Sequence, residues 1–158
     1  MIDVLLPRIR KSFPAAVFHC VGRAPVAALT ARDGEPGVRV WGEVPDVKPF
    51  LHSADMVVAP LTIARGIQNK VLEAMAMARP VILSPEAATG IDGTDGEHFV
   101  VAAYDDAFVA AIERLHSDRQ LADAIARGAR DFVVREQGWD AMLSPLEGIV
   151  KGSLRDAA

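Results

Sequence analysis

The chain is short of several things, and each shortage closes off a class of function. It has one cysteine, Cys20, among 158 residues, so it forms no internal disulfide. Cys20 lies in the mostly apolar run Ala15–Val21, where a small buried hydrophobe is expected rather than a nucleophile. No apolar run approaches the roughly 18 residues of a membrane span. The N-terminus lacks the basic-then-apolar pattern of a secretion signal, which points to the cytoplasm. There is no excess of positive charge. With 17 basic and 21 acidic residues the net charge is −4, which does not advertise nucleic acid or an anionic membrane surface. His19, His52, His98 and His116 are scattered without ligand spacing on one helix face, and no Asp-x-Asp triplet stands out, so a metal site is not expected. Ser84 follows a strand but lacks the glycines of a nucleophile elbow, which disfavours a hydrolase. Asp92, Asp95 and Glu97 read as a solvated turn around Gly93 and Gly96.

Apolar residues make up 51% of the chain, and its length suits a single domain over residues 1–158. A chain of this size buries roughly 70% of its unfolded surface, enough for an ordinary core. Short Val-rich runs alternate with helical stretches. The expected strands are Ala16–Val21, Val38–Trp41, Met56–Ala59, Val81–Leu83 and His98–Val101. The expected helices are Val4–Lys11, Pro25–Arg32, Val47–Ala54, Ile67–Ala78, Asp105–Ser117, Arg119–Glu136 and Trp139–Val150. Phe108–Leu115 reads as core packing, and Trp41 and Trp139 as packing residues, with Trp41 near a base pocket as the lesser reading. Strand alternating with helix predicts an α/β fold with a doubly wound, Rossmann-like parallel sheet. Ligands of such sheets bind at the carboxyl ends of the strands. The pattern opens on a helix containing Pro7, and the first strand such a sheet normally starts with is missing.

The segment Ala64–Ala76 carries the chemistry. Wound as a helix, Gly66, Asn69, Lys70 and Glu73 fall within an arc of about 100°, with Ile67, Val71, Leu72, Met75 and Ala78 opposite. Helix-start N–H groups and the dipole favour an anion, and a glycine there lets phosphate approach the backbone. Lys70 adds a positive charge. Glu73, about 10 Å along the axis from Gly66, could accept two hydrogen bonds from a ribose. Spacing alone is better served by a solvent-facing Lys and Glu on an ordinary helix, since short motifs often match by accident.

The string GIQNKVLEAMAMARPVI, Gly66 to Ile82, closely resembles the retaining GT-B glycosyltransferases that include sucrose synthases, bacterial-type glycogen synthases and many exopolysaccharide transferases. VWGEVP (Val40–Pro45), FLHSADMVVAP (Phe50–Pro60) and Gly138–Trp139 resemble flanking parts of that family, nearest to the transferases of bacterial exopolysaccharide clusters. The resemblance implies the C-terminal, donor-binding half of a two-domain enzyme, whose N-terminal acceptor domain is absent here. It implies that Glu73 holds the ribose, that Gly66 and Ile67 meet the diphosphate, and that Gly42 to Val44 form the loop beside the base. Pro80 would open the next strand. The donor would be a UDP-, GDP- or similar nucleotide sugar, with no cofactor and no metal, and the acceptor a glycan or lipid-linked glycan. Catalytic residues are left unassigned, and this piece alone is expected to be inactive. Peripheral membrane association of the parent protein is compatible with this reading. The family's first motif glutamate is replaced by Arg65, which could instead meet phosphate as a bidentate donor. Two rival functions stand beside this one. One is a non-catalytic interaction or regulatory module, self-associating through the sheet edge that a missing strand exposes. The other is half of a sugar-nucleotide epimerase of the same architecture.

Overall fold

In the computed structural model, residues 1–63, 68–103 and 106–136 are described. The expected helix Trp139–Val150, the Gly138–Trp139 pair and Asp105 lie outside them, as do Arg65, Gly66 and Ile67. In chain order the elements are α1 (Leu5–Ser12), β1 (Phe18–Val21), α2 (Ala27–Thr30), β2 (Val38–Gly42), α3 (Lys48–Ser53), β3 (Val57–Ala59), α4 (Asn69–Ala76), β4 (Val81–Leu83), α5 (Pro85–Ala88), β5 (Val100–Val101), α6 (Asp106–Ser117) and α7 (Arg119–Glu136).

All strand pairing between these elements is parallel, as the alternation predicts, but it falls into two sheets. β1 pairs with β2, and β3–β4–β5 form a separate three-stranded sheet. The backbone shows which edges are left open. Val57 N–H donates to Pro80 O and Ala59 O accepts from Ser84 N–H, so both residues face β4 and the polar groups of Val58 point to the other side. On β1, Phe18 N–H donates to Gly37 O, which turns His19 away from β2 in the same manner. Removing strand 1 from the doubly wound order 3-2-1-4-5-6 leaves a pair and a triplet of this kind.

The core is concentrated around β4. Val81, Ile82 and Leu83 are fully buried, as befits a strand covered on both faces. Ile82 packs on one side with Leu5 and Ile9 of α1 and Phe108, Ile112 and Leu115 of α6. Val81 and Leu83 pack on the other with Val71 and Met75 of α4 and Ala129 and Phe132 of α7. The expected core run Phe108–Leu115 is therefore confirmed. The first part of the chain contributes little: from Arg10 to Val58, Val38 is the one buried side chain.

Local chemistry explains the element ends. Pro7 is the third residue of α1, in the first turn, where its missing N–H costs no helical bond. Arg10 and Lys11 complement the dipole at the other end. α4 closes in a left-handed cap: Ala78 has φ of 50°, its N–H donates to Met75 O at 2.9 Å, and Arg79 N–H reaches back to Ala74 O at 3.1 Å. Gly128 sits inside α7 because a Cβ there would run into the carbonyl oxygen of Glu97. In the acidic turn Asp95 Oδ1 accepts from Val101 N–H at 2.7 Å, while Asp92, Asp95 and Glu97 stay exposed. Cys20, expected to be buried, is only half-buried. The expected helix Pro25–Arg32 shrinks to one turn, Ala27–Thr30, which buries none of its residues.

Candidate functional site

The start of α4 is built differently from the expected Ile67–Ala78 helix with Gly66 at its head. The helix runs Asn69–Ala76, with Gln68 extended at the N-cap position. Glu73 therefore stands four residues from the first helical residue, about 6 Å along the axis, rather than two turns in. Side chains of a helix lean toward its N-terminus, which brings the carboxylate still nearer to that end.

The first turn is electrostatically unusual. Among the described residues no side chain caps it, and no acidic residue stands in it. Gln68 O accepts from Val71 N–H at 2.8 Å and from Leu72 N–H at 3.3 Å. Among the described residues nothing accepts from the backbone N–H groups of Asn69 and Lys70. Lys70 puts a cation where the macrodipole disfavours one. Asn69, Lys70 and Glu73 are all exposed, while Val71, Ala74 and Met75 are buried. Orphan donors, the dipole and Lys70 together make a positive ledge, with a carboxylate one turn behind it. The helix is anchored from its far end, where Arg130 Nη1 donates to Ala76 O at 2.9 Å and Arg79 reaches the carbonyls of His52 in α3 and of Ala54 just past it.

Lys70 lies within electrostatic range of Cys20 on β1. Partial burial pushes the Cys20 thiol pKa up, and the positive charge of Lys70 pulls it part of the way back. Gly42 ends β2 next door, its carbonyl accepting from Gly22 N–H at 2.8 Å. It has φ of 66°, and nothing stands within 4 Å of where a Cβ would sit, so its backbone is open to a close approach. Glu43 beyond it is exposed and Val44 is half-buried. Gly42 is hydrogen-bonded beside the β1 end, and Glu73 lies on the exposed side of the same helix as Lys70. Arg65, Gly66 and Ile67 lie outside the described residues. Pro80 is buried and immediately precedes β4, as expected.

Two features escaped the sequence reading. Trp41 is not simply packed: it is half-exposed, its Nε1–H donates to His19 Nδ1 at 3.0 Å, and its ring meets Phe50 edge-on at 5.1 Å. Ser84 caps the single-turn helix α5, accepting from Ala87 N–H at 3.3 Å. The Ser-Pro pair Ser84–Pro85 was the available signal, an N-cap residue followed by proline at the first helical position.

Comparison with known proteins bears on the family and the fold. The sequence profile of the family described as glycosyl transferases group 1 matches residues 1–118. The chain belongs to that family. It is 25% identical over 122 residues to the lipopolysaccharide 1,2-N-acetylglucosaminetransferase of Salmonella typhimurium, an alignment covering 75% of this chain and 32% of the relative. Its fold matches sucrose-phosphate synthase from Thermosynechococcus elongatus with a TM-score of 0.74 at 20% identity, over 98% of this chain and 42% of that one. The C-terminal domain of a group 1 family glycosyl transferase, LpcC, from Francisella tularensis matches with a TM-score of 0.70 at 20% identity, over 84% of this chain and 75% of that one. Anabaena HepE, solved in complex with UDP, matches with a TM-score of 0.68 at 17% identity, over 98% and 47%. This member of the transferase family spans about a third of the length of its curated relative. Among the described residues no helix is long and apolar enough to cross a membrane.

Proposed function

We propose that this chain is the nucleotide-gripping half of an enzyme that moves a sugar from a nucleotide donor to a glycan or lipid-linked glycan. The observation that carries the reading is the first turn of α4, uncapped among the described residues, with Lys70 in it and Glu73 one turn behind; the open backbone of Gly42 ends β2. On this ledge a diphosphate takes the unclaimed N–H groups and Lys70, the ribose hydroxyls bond Glu73, and the base lies toward Gly42 and Val44. Arg65, Gly66 and Ile67 add to the diphosphate side. As the sugar–phosphate bond breaks, negative charge grows on the leaving diphosphate, and the fixed dipole and lysine stabilise it. The sugar departs with retention of its anomeric configuration, as in the family 4 enzymes of exopolysaccharide clusters, and the work is done in the cytoplasm. The acceptor side is supplied by an N-terminal domain, since orientation of the acceptor needs a second wall to the cleft. The short share of its relatives' length that the chain spans, and the division of its sheet, support that division of labour. Alone, the chain binds nucleotide and turns over little or nothing.

Titration calorimetry with UDP, GDP and their sugars tests the reading. Binding to one of them in the micromolar to low millimolar range is expected, and silence from all of them at millimolar concentration sinks it. The strand edges at His19 and Val58, open among the described residues, favour a second reading, a non-catalytic module that self-associates through its sheet. Light scattering decides that one: a dimer that binds no nucleotide would support it, and a clean monomer would remove it.

A further inference from the structure

The connection from β3 to α4 leaves its strand at Ala59 and enters its helix at Gln68. Thr62 and Ile63 within it are exposed. Leu61, which packs against the core cluster of α4 and β4, is held to a neighbouring element by its carbonyl. The donor is Ser84, whose Oγ lies 2.6 Å from Leu61 O. Ser84 is the one fully buried polar residue among the described core. Its hydroxyl is used in both directions, donating to Leu61 and accepting from Ala87 N–H, and its backbone N–H holds Ala59 O at 3.1 Å. A hydroxyl so enclosed is unavailable as a nucleophile. It is placed instead to fix where the connection turns after the strand, ahead of the α4 ledge.

We propose that Ser84 is a positioning residue for the nucleotide site, acting through Leu61, whose packing against the core cluster of α4 seats that helix. This rests on the proposed function above. Removing the hydroxyl leaves a part-buried carbonyl and a buried N–H without their partner, and such groups relax by moving toward water. Leu61 would then shift, and with it the packing that seats α4 and so Asn69 and Lys70. The effect belongs to ligand affinity and not to stability alone.

The test compares Ser84→Thr with Ser84→Val in the full chain. The two side chains have nearly the same shape and crowd the buried site equally, so their difference reports the hydroxyl. Affinity for UDP and GDP is measured by calorimetry at a temperature where each variant is fully folded by circular dichroism. Ser84→Val is expected to weaken binding about tenfold, the loss of roughly one buried hydrogen bond, and Ser84→Thr to stay within about threefold of wild type. Ser84→Ala, which adds no bulk, serves if the valine does not fold, and is expected to weaken binding to a similar degree. A merely structural serine would lower the unfolding midpoint and leave the affinity of the folded protein alone. Equal affinity in wild type and Ser84→Val, or equal weakening by threonine and valine, overturns the role. Wild type that binds neither nucleotide overturns the proposed function, and the positioning role falls with it.

Discussion

Ala78 holds a left-handed backbone that its side chain disfavours, and replacing it with glycine should stabilise the protein. For a residue with a Cβ the left-handed region costs roughly 1–2 kcal/mol. Glycine removes that cost but loosens the unfolded chain, which takes back about 0.4–1 kcal/mol. The expected net gain for Ala78→Gly is about 0.5–1 kcal/mol, or a rise in Tm of about 1–4 °C for a domain of this size. The hydrogen bonds of the cap, Ala78 N–H to Met75 O and Arg79 N–H to Ala74 O, involve no side chain and survive the change. Ala76→Gly is the control. It lies two residues earlier, at the last residue of the helix and in helical conformation, where glycine costs up to about 1 kcal/mol relative to alanine. The same chemical change should therefore move Tm in opposite directions at the two positions, as read by thermal and urea unfolding followed by circular dichroism. A fall in Tm for Ala78→Gly alongside the expected fall for Ala76→Gly would refute the strain at Ala78.

Glu73→Ala should weaken nucleotide binding at least about tenfold, as loss of charge-assisted hydrogen bonds would, with no change in the unfolding midpoint; unchanged calorimetric affinity refutes the ribose role. Gly128→Ala should destabilise, because contact with the Glu97 carbonyl costs about 1–3 kcal/mol, more than the roughly 1 kcal/mol alanine adds to a helix, and a raised urea midpoint would contradict it. Lys70→Met should raise the Cys20 thiol pKa further, since the ammonium favours the thiolate, so less thiolate is present at neutral pH. Alkylation of Cys20 by iodoacetamide should slow, and the difference should shrink in high salt; faster alkylation would show that the two groups are not coupled.

Legibility in the sequence followed the amount of tertiary support. β4 and α7 came out with their expected bounds, Val81–Leu83 and Arg119–Glu136, since one is apolar on both faces and the other carries an uninterrupted helical period. Pro25–Arg32 had a helical composition but packs against too little to hold more than a turn. Periodicity placed the polar side of α4 correctly, with Lys70 and Glu73 outward, yet could not fix its start, because the pattern continues through Ile67 while the backbone turns at Gln68. That shift moved Glu73 closer to the helix end than the sequence implied. α5 is one turn, too short for any periodic signal. The division of the sheet was visible only as a missing strand, since which strands bond is settled by long-range contacts.

The near absence of buried side chains between Arg10 and Val58 has a kinetic meaning. A two-stranded sheet is marginal by itself, and here it is flanked by α2 and α3, neither of which buries a residue. This part of the chain should open well below the free energy of global unfolding, and its amides should exchange with solvent long before those of β4 and α7. The base side of the proposed nucleotide site, Gly42 and Val44, lies in the part that opens, and the phosphate and ribose side, Lys70 and Glu73, in the part that does not. Apparent affinity then scales with the fraction of molecules in which the first part is closed. Anything that braces β1 and β2 would tighten the grip on nucleotide without touching a single group that contacts it.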